Sequence, residues 1–479
     1  MNISSVIDYL NEKYGFDLDS AYYTYIDVWK KWWEGYYEPF HEFQEVHGKK
    51  RLQRKLYSLK MGKKVCEDWA SILMNDRTKI IAADNQNQEF LFGKDQTGGI
   101  CGEVAFWHRE NELIEKAFAT GTGAVVLRFE NLLVNGGAVQ PEQNSRICAD
   151  YLPAENIIPL TVNAHGVQDV AFASEALYLG NRYTYLSTHR LEPDGYVIRN
   201  AYFSDDEGVL KPESLPQGMI EEYRTGSGVP LFSLISPNIV KNLSGGEGLG
   251  LSVLANAIDE LQGIDLAFNN FCRDFKLGGK KVFYNQSLTR TDAQGQTITP
   301  DDIAQQLFYQ IGENDSLGDD NKPITEYNPS LRVEENEKGV QAMLDYLSFR
   351  VGFGTKHYQF NGGSIVTATQ YTGDKQDLVQ NAAKHYIAVE NHVKQIVRAL
   401  LWAGKNVQGL PLDPDDMVTI EFDDSYIIDK EAERERDRQD VRDGLMQKWE
   451  YRVKWYGEDE KTAKAMTEAD AKPFSYFEE

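Results

Sequence analysis

The amino-acid sequence predicts an α+β protein built from several parts, and three observations carry that prediction. Turns such as Asn135-Gly136-Gly137 and Asp194-Gly195 separate short β-type segments between about residues 124 and 235. Apolar residues spaced three and four positions apart, as helices require, dominate the stretches that follow. A chain of 479 residues is also too long for one hydrophobic core and should divide into roughly two to four domains.

The composition limits the classes of function that need considering. Charged residues make up 26% of the chain and apolar residues 41%, as in ordinary globular proteins, so most of it should fold. The formal net charge of −24 disfavours tight general binding of nucleic acid, because phosphate affinity comes from lysine and arginine. Contact with DNA is not excluded, since a passage through which a polyanion slides is better lined by repulsive walls than by attractive ones.

The cysteines and the hydropathy pattern indicate a protein of the cytoplasm. Cys66, Cys101, Cys148 and Cys272 form no CxxC pair, which indicates neither a disulfide framework nor a zinc site. No signal peptide is recognisable, and no run approaches the roughly eighteen apolar residues of a membrane-spanning helix. We therefore expect assembly in a reducing cytoplasm, without secretion or membrane insertion.

An aromatic-rich segment opens the chain. Tyrosine, tryptophan and phenylalanine crowd between Tyr22 and Phe40, which predicts core or interface anchors. His41, Glu42 and His47 follow, but they lack the spacing of an HExxH motif, so no metal site is expected there.

A basic run follows at residues 49–64, where eight residues are basic and none is acidic. It is interpreted as a solvated helix face or as a surface for an acidic neighbouring subunit, with phosphate contact as the alternative. Next comes an amphipathic helix that should dock on a core. Its apolar positions are Met61, Val65, Trp69, Ile72 and Leu73.

Two glycine clusters resemble nucleotide-binding loops only superficially. A helix predicted over Glu103 to Ala119 is followed by Gly121-Thr122-Gly123, which lacks the third glycine of a dinucleotide fingerprint and is interpreted as a turn into a strand. The segment SGGEGLG at 244–250 lacks the lysine and the GKS or GKT ending of a phosphate loop. We expect it to be a hinge that enters a helix.

That helix carries a heptad-like seam, which indicates partner helices on both sides. The helix should end at Gly278 and Gly279. The apolar positions of the seam are Leu254, Ala257, Leu261, Ile264, Phe268, Phe271 and Phe275.

Residues 280–332 should form a small exposed module between two helices. A short strand is predicted at 281–284, a turn at Gly295 and a short helix from Pro300, followed by an acidic, turn-rich segment. The acidic residues of that segment are Glu313, Asp315, Asp319 and Asp320.

Two helices joined by a glycine-rich hairpin come next. The first should end at Gly352 and Gly354, and Asn361-Gly362-Gly363 supplies a tight reversal. The second keeps its apolar period from Leu378 to Leu400 and should end at Gly404 as a C′ cap. The hairpin alone is also consistent with an ordinary pair of helices in a large globular protein. The apolar face of the first helix comprises Val340, Met343, Leu344, Leu347 and Val351.

A short β segment should reach about Phe422, and the composition changes at Asp429 to a mixed-charge helical tail. Trp449, Val453, Trp455 and Tyr456 give this tail an apolar face of its own. It is therefore expected to be a separate module.

Three stretches together resemble the portal proteins of long-tailed bacteriophages. They are KKVCEDWASILMND at 63–76, FNGGSIVTATQ at 360–370 and DKEAERERDRQDVRDGLMQKWEYRVKWYGEDE at 429–460. None is a catalytic motif, so the resemblance depends on their order and spacing, which match that family across nearly the whole chain.

The resemblance implies a portal-type ring subunit with a mixed α/β wing, long stem helices, a small clip and a helical C-terminal crown. It assigns 1–248 to the wing, 249–279 to a stem helix, 280–332 to the clip, 333–353 to the second stem helix, 354–364 to a tunnel loop, 365–425 to a long helix returning to the wing, and 426–479 to the crown.

It also implies roles for particular residues. Lys356, His357, Tyr358 and Asn361 of the tunnel loop would face DNA. The resemblance is weakest in the clip and assigns no individual residues there; the acidic composition of the segment itself predicts that Asp315, Asp319 and Asp320 dock a basic patch of a partner. The stem would meet neighbouring subunits through part of the seam, namely Leu254, Leu261, Ile264, Phe268 and Phe275.

The implied assembly is a homo-oligomeric ring, usually a dodecamer, at one vertex of a virion capsid, through which double-stranded DNA enters and leaves. Its partners would be the large terminase subunit, a head-completion adaptor, a scaffold protein and the major capsid protein. The portal is not an enzyme and needs no cofactor, in keeping with the missing phosphate loop. Two alternatives remain at this point: a packaging-associated nuclease or NTPase, and a soluble helical adaptor.

Overall fold

The computed structural model of the chain is a mixed α and β protein, in agreement with the predicted class. It describes residues 3–47, 50–75, 77–94, 98–178, 180–206, 209–285, 290–291, 294, 297–298, 308–311, 324–359, 376–422 and 430–470. Within these ranges, no helix is both long enough and apolar enough to cross a membrane.

Helices dominate the first 120 residues. The aromatic segment lies mainly on α2, where Tyr22, Trp29 and Trp32 are buried, so these residues are core anchors. The predicted apolar face of α4 is confirmed, with Trp69 fully buried and Ile72 half-buried. The bounds are α1 (Ile3–Tyr14), α2 (Ala21–Glu34), α3 (Glu38–His41), α4 (Met61–Leu73), α5 (Asn85–Phe92), α6 (Gly99–Glu103) and α7 (Phe106–Thr120).

Two small antiparallel pairings flank this helical region. Strands β1 (Glu42–His47) and β2 (Lys50–Lys55) form a hairpin, so the basic run begins on a strand rather than on a helix face. Strand β3 (Lys79–Ala82) pairs with β20 (Val418–Glu421), which returns the late part of the chain to this region.

Two sheets packed face to face form the centre of the first half. The larger has the order β5-β6-β13-β11-β10-β9-β8 with β12 beside β11, and the smaller has the order β14-β4-β7. Phe232 of the smaller sheet meets Phe172, His189 and Tyr196 of the larger at ring-centroid distances of 5.6 to 6.0 Å. The predicted β region is confirmed. Its strands are β4 (Gly123–Glu130), β5 (Leu133–Asn135), β6 (Ala138–Gln140), β7 (Arg146–Pro153), β8 (Ile157–Asn163), β9 (Gly166–Tyr178), β10 (Asn181–Glu192), β11 (Gly195–Asp206), β12 (Val209–Glu213), β13 (Glu222–Arg224) and β14 (Phe232–Ile235).

Helices α8 (Ile258–Leu277) and α9 (Val333–Arg350) lie side by side and are joined through a small β module. In this module β15 lies between β18, which is parallel to it, and β19, which is antiparallel. The strand predicted at 281–284 is confirmed, and the short helix predicted from Pro300 lies outside the described residues. The module comprises β15 (Lys281–Asn285), β16 (Arg290–Thr291), β17 (Thr297–Ile298), β18 (Phe308–Ile311) and β19 (Ile324–Tyr327).

Helix α8 begins later than the sequence predicted. Residues 249–257 form turns instead, because their polar groups bond to the end of α7: the Ser252 hydroxyl donates to the Ala119 carbonyl oxygen at 2.6 Å. Gly250 lies so close to Gly121 that a Cβ on Gly250 would come within 2.4 Å of the Gly121 carbonyl oxygen. The predicted helix is therefore wrong over this first segment, where Gly250, Ser252 and Val253 bond to residues 118–122 instead of continuing a helix.

The long helix predicted after the hairpin is confirmed as α10 (Gln376–Asn406). Gly404, predicted to be its C′ cap, lies inside the helix instead. A Cβ at this position would stand 2.5 Å from Leu412 Cδ1 and 2.7 Å from Phe90 Cζ. The glycine therefore allows close packing rather than ending the helix.

The tail is helical, as predicted. Its elements are α11 (Lys430–Asp443), α12 (Lys448–Tyr456) and α13 (Glu460–Asp470). The Trp455 indole N–H donates to Asp437 Oδ2 at 2.8 Å, and Lys454 Nζ lies 2.7 Å from the same oxygen. The hydrogen bond from Lys454 is the main cause that lowers the pKa of Asp437.

A buried ionisable pair joins α7 to α10 within the core. Glu110 Oε1 lies 2.7 Å from His392 Nε2, and both side chains are fully buried. The contact is not aligned as a hydrogen bond, and the remaining carboxylate and ring atoms have no other hydrogen-bond partner. Each group therefore depends on the other for its electrostatic compensation.

Breaking this pair should strongly destabilise the fold. In His392→Leu the buried Glu110 carboxylate loses the group that compensates its charge, so the free energy of unfolding should fall by about 3–5 kcal/mol. Urea unfolding followed by tryptophan fluorescence measures the loss. The double variant Glu110→Met/His392→Leu should recover most of it, because no polar group is then left unpaired; equal losses in both variants would contradict this account.

Candidate assembly and channel surfaces

The α8–α9 pair is fastened at both ends by ion pairs. Arg332, directly before α9, makes a two-pronged contact with Asp274 near the end of α8, at 2.8 to 3.1 Å. At the other end, Arg350 Nε lies 3.0 Å from Glu260 Oε1. Between them, Gly263 faces the sulfur of Met343, which would stand 3.2 Å from a Cβ on that glycine. The helices are therefore antiparallel and close.

The predicted seam of α8 divides into a buried and an exposed part. Leu254, Leu261 and Ile264 are at most 2% exposed within the single chain, so they belong to its own core and have no surface left for a neighbour. Phe268 is half-buried and Phe275 is 50% exposed. Of the five residues predicted to form a subunit interface, only these last two retain accessible surface.

Further apolar side chains of the pair are uncovered. On α8, Leu266 and Leu277 are 46% and 50% exposed and lie on a face different from that of Phe275, because successive residues are about 100° apart around a helix. On α9, Tyr346 and Phe349 are 63% and 65% exposed. The pair therefore presents apolar groups to solvent on more than one side.

A buried histidine–carboxylate contact sets the orientation of α8. His41 Nε2 lies 3.0 Å from Asp265 Oδ2, and the backbone N–H of Leu59 donates to the other carboxylate oxygen at 2.7 Å. His41 is fully buried, and both of its ring nitrogens have partners within the chain, Asp265 at Nε2 and the Tyr37 backbone at Nδ1, so it has a structural role. No pattern in the sequence indicates the contact with Asp265, because the two residues are 224 positions apart.

The segment that follows α9 is held against α4. The Tyr358 hydroxyl donates to Asp68 Oδ2 at 3.0 Å, and His357 Nε2 lies 3.9 Å from the same oxygen. Phe353 stacks on the ring of His357 at 4.3 Å and on that of Trp69 at 4.6 Å. Two of the predicted channel residues, His357 and Tyr358, are thus anchored in the fold.

The electrostatics of this anchor favour an ionised Asp68. Burial alone would raise the pKa of the Asp68 carboxyl, but contacts with His357, Lys64 and Tyr358 outweigh burial, and the net pKa is lowered. Burial and the neighbouring Asp68 raise the pKa of Tyr358, so its hydroxyl remains the donor.

Lys356 differs from its neighbours because it is exposed and has a left-handed backbone, with φ of 66°. Its side chain is therefore available to a ligand that passes this turn. Asn361, also predicted to face DNA, lies outside the described residues. So do the predicted docking residues of the β module, Asp315, Asp319 and Asp320.

Carboxylates of the same chain neutralise much of the basic run. Arg54 pairs with Glu45 at 2.9 Å, and Lys55 pairs with Glu42 at 2.8 Å. The hydrogen bond from Lys55, followed by that from Tyr36, holds the pKa of Glu42 at about 2. Within the described part of the chain, no group of three or more metal-ligating side chains is found.

Comparison with known proteins assigns no family. No protein-family model matches the chain, and no curated protein matches it. A chain in the virion of a native gene transfer agent particle is 11% identical with a TM-score of 0.32, covering 82% of this chain and 88% of its own length. A chain in the neck of an empty gene transfer agent particle is 10% identical with a TM-score of 0.35, covering 82% and 87%. At these scores neither likeness carries an argument.

The Asp68 anchor should control access of proteases to the turn at Lys356. Asp68→Ala removes the acceptor for the Tyr358 hydroxyl, so trypsin should cleave after Lys356 several-fold faster than in the wild type. Mass spectrometry of the fragments measures the cleavage rate. Tyr358→Phe loses only one hydrogen bond and should give a smaller increase in that rate. Identical cleavage rates in the wild type, Asp68→Ala and Tyr358→Phe would contradict the anchor.

The stability that this anchor contributes should depend on pH. Because the pKa of Asp68 is lowered on folding, the stabilising contribution of Asp68 is present above the unfolded pKa of about 3.9 and is lost as the pH falls through the lower folded pKa.

Proposed function

We propose that the chain is the subunit of a bacteriophage portal, a ring that forms a channel for double-stranded DNA at one capsid vertex of a virion. The observation that carries this proposal is the α8–α9 pair, which passes from the core to a small β module and back while leaving apolar faces exposed. The three sequence stretches that resemble the portal family support it independently.

The placement of the exposed groups favours a ring over a two-fold dimer. A two-fold dimer uses one self-complementary patch, whereas a closed ring needs two different patches that meet head to tail. Phe275 lies on one face of α8 and Leu266 with Leu277 on another, so each subunit has apolar groups for two neighbours. Contiguous exposed apolar patches mark interaction sites, and in the proposed ring these groups belong to two such patches.

The charge distribution suits a channel that guides DNA rather than one that grips it. The net charge of −24 repels the phosphate backbone over most of the surface. Lys356, exposed on the turn after α9, supplies one cation per subunit for weak contacts that do not depend on base sequence. Such contacts permit sliding during packaging and ejection.

The proposed role determines the partners. The β module between α8 and α9 would act as the clip that docks the large terminase subunit during packaging and a head-completion adaptor afterwards. The scaffold and the major capsid protein would surround the wing. Steering by the acidic clip residues would then act mainly at low salt, because exposed charges are screened beyond about 10 Å at 0.1 M.

Electron microscopy of the purified chain tests the ring directly. Negative staining should reveal holed rings, and size-exclusion chromatography with light scattering should give a matching mass. Wild-type protein that remains monomeric, or that associates without a central hole, would overturn the proposal in favour of an adaptor or an enzyme.

Phe275→Asp should prevent ring formation while preserving the fold of the subunit, because Phe275 is half-exposed in the chain itself. A carboxylate buried without a partner in an apolar contact costs several kcal/mol, and the cost recurs at every subunit boundary. Leu445→Asp is the matched control, since Leu445 is 80% exposed and lies on a turn of the tail. Light scattering should give a ring mass for the control and a monomer mass for Phe275→Asp; full rings from both would remove this face from the interface.

Lys356→Glu should leave ring assembly intact and impair packaging or retention of DNA. The change replaces a cation with an anion at the exposed turn, so phosphate would be repelled there in every subunit. An in vitro packaging assay, run beside micrographs of the mutant ring, measures both properties. Lys405→Glu, at an exposed position near the end of α10, is the control. Normal packaging by rings that carry Lys356→Glu would take this turn out of the DNA path.

A further inference from the structure

A basic groove lies between the β1–β2 hairpin and the C-terminal half of α8. The hairpin contributes Phe43, Arg54, Lys55 and Tyr57 among others, and α8 contributes a row of side chains that faces them. Four cationic side chains and one carboxylate line the groove. The α8 side of the lining consists of Asn269, Arg273, Lys276 and Leu277.

The groove combines charge with exposed apolar surface. Phe43 and Tyr57 are 39% and 54% exposed, and Leu277 is 50% exposed. The carboxylate, Glu45, is already shared by Arg54 at 2.9 Å and Arg273 at 3.6 Å, and Lys55 pairs with Glu42 at 2.8 Å. Four cationic side chains thus meet two carboxylates, so the groove retains an excess of positive charge beside aromatic surface, which fits an acidic helix that also carries apolar side chains.

The exposed face of α9 has that chemistry. Its first turn carries the exposed Glu334 and Glu335, and farther along the helix Tyr346 and Phe349 are exposed. Glu335, Ala342 and Phe349 are seven residues apart, which is about two helical turns, so they follow one side of the helix. That side is turned away from the core, because Val340, Leu344 and Leu347 on the other side are buried.

The two surfaces stand at the same level of the α8–α9 pair and on different faces of α8. Arg332, directly before α9, and Asn336 of α9 both contact Asp274, which places the acidic turn beside the residues that include Arg273 and Lys276. Around the axis of α8, Asp274 lies about 100° from Arg273 and about 160° from Lys276, but only about 60° from Leu277. The two cations that α8 contributes to the groove are therefore turned away from Asp274, and the acidic turn of the same chain does not face them.

We propose that the acidic face of α9 in one subunit occupies the basic groove of the next subunit. The inference rests on the proposed ring with the α8–α9 pair running along its axis: cyclic symmetry rotates a subunit without shifting it along the axis, so complementary patches must lie at equal height on different faces of the subunit. It gives the basic run the acidic neighbouring subunit that its composition indicated. The occupant is a second copy of this chain.

Charge reversal on one side at a time tests the contact. Arg273→Glu/Lys276→Glu reverses the groove, and Glu334→Lys/Glu335→Lys reverses α9; all four side chains are exposed, and circular dichroism checks that each variant folds. At about 100 mM salt, each variant should need a roughly tenfold higher subunit concentration to form rings in mass photometry. The deficit should shrink at high salt, where the charges are screened. Lys384→Glu/Lys405→Glu on α10 applies the charge change of the groove variant elsewhere and should behave as wild type.

Recombining the reversed surfaces gives the decisive result. A 1:1 mixture of the two variants should form rings of alternating subunits, because each groove then meets an α9 of opposite charge, and the chain with all four changes should also assemble. Rings from each variant alone at wild-type concentrations, or no rescue in the mixture, would overturn the inference while leaving the ring itself intact. Failure of the wild type to form any ring would instead overturn the proposed function, and this inference with it.

Discussion

The contact between His41 and Asp265 determines how the α8–α9 pair is presented. Both side chains are buried, and each carboxylate oxygen of Asp265 has one specific partner, the His41 ring or the Leu59 backbone N–H. Because a buried carboxylate without its partners is costly, α8 can leave the core in only one rotational setting. That setting decides which of its faces are covered by the core and which are exposed, so the assembly surfaces follow from it.

The contacts between α8 and α9 determine the orientation of α9 relative to the core. Single exposed ion pairs contribute little to stability. Here one lies at each end of the pair, Glu260 with Arg350 and Asp274 with Arg332, so together they fix the register between the helices. The exposure of Tyr346 and Phe349 is therefore a property of the joined pair, and a neighbouring molecule can cover these side chains without breaking the register.

The parts of the fold that local periodicity determines were predictable from the sequence, and the parts that distant contacts determine were not. The core face of α9 is confirmed at Val340, Leu344 and Leu347. Burial of one helix face requires apolar residues three and four positions apart, and this spacing is present in the sequence. The predicted start of α8 was wrong because the Ser252 hydroxyl bonds to the end of α7. The prediction that Gly404 caps α10 was wrong because the missing Cβ of this glycine makes room for Phe90, more than three hundred residues away. Among the site residues, the anchoring of Tyr358 on Asp68 could not be predicted for the same reason.

The role of α4 explains why a stretch without catalytic residues carries part of the resemblance. Within KKVCEDWASILMND, Trp69 donates its indole N–H to the Val351 carbonyl at 3.2 Å and stacks on Phe353, while Asp68 holds Tyr358. This stretch therefore clamps the end of α9 and the turn that exposes Lys356. The aromatic side chains of Trp69, Phe353 and His357 are closely packed, so a displacement of Lys356 must either distort these contacts or move α4 and α9 with it. The turn is thus directly connected to α9, so in the proposed ring a force on this turn would reach the next subunit through α9.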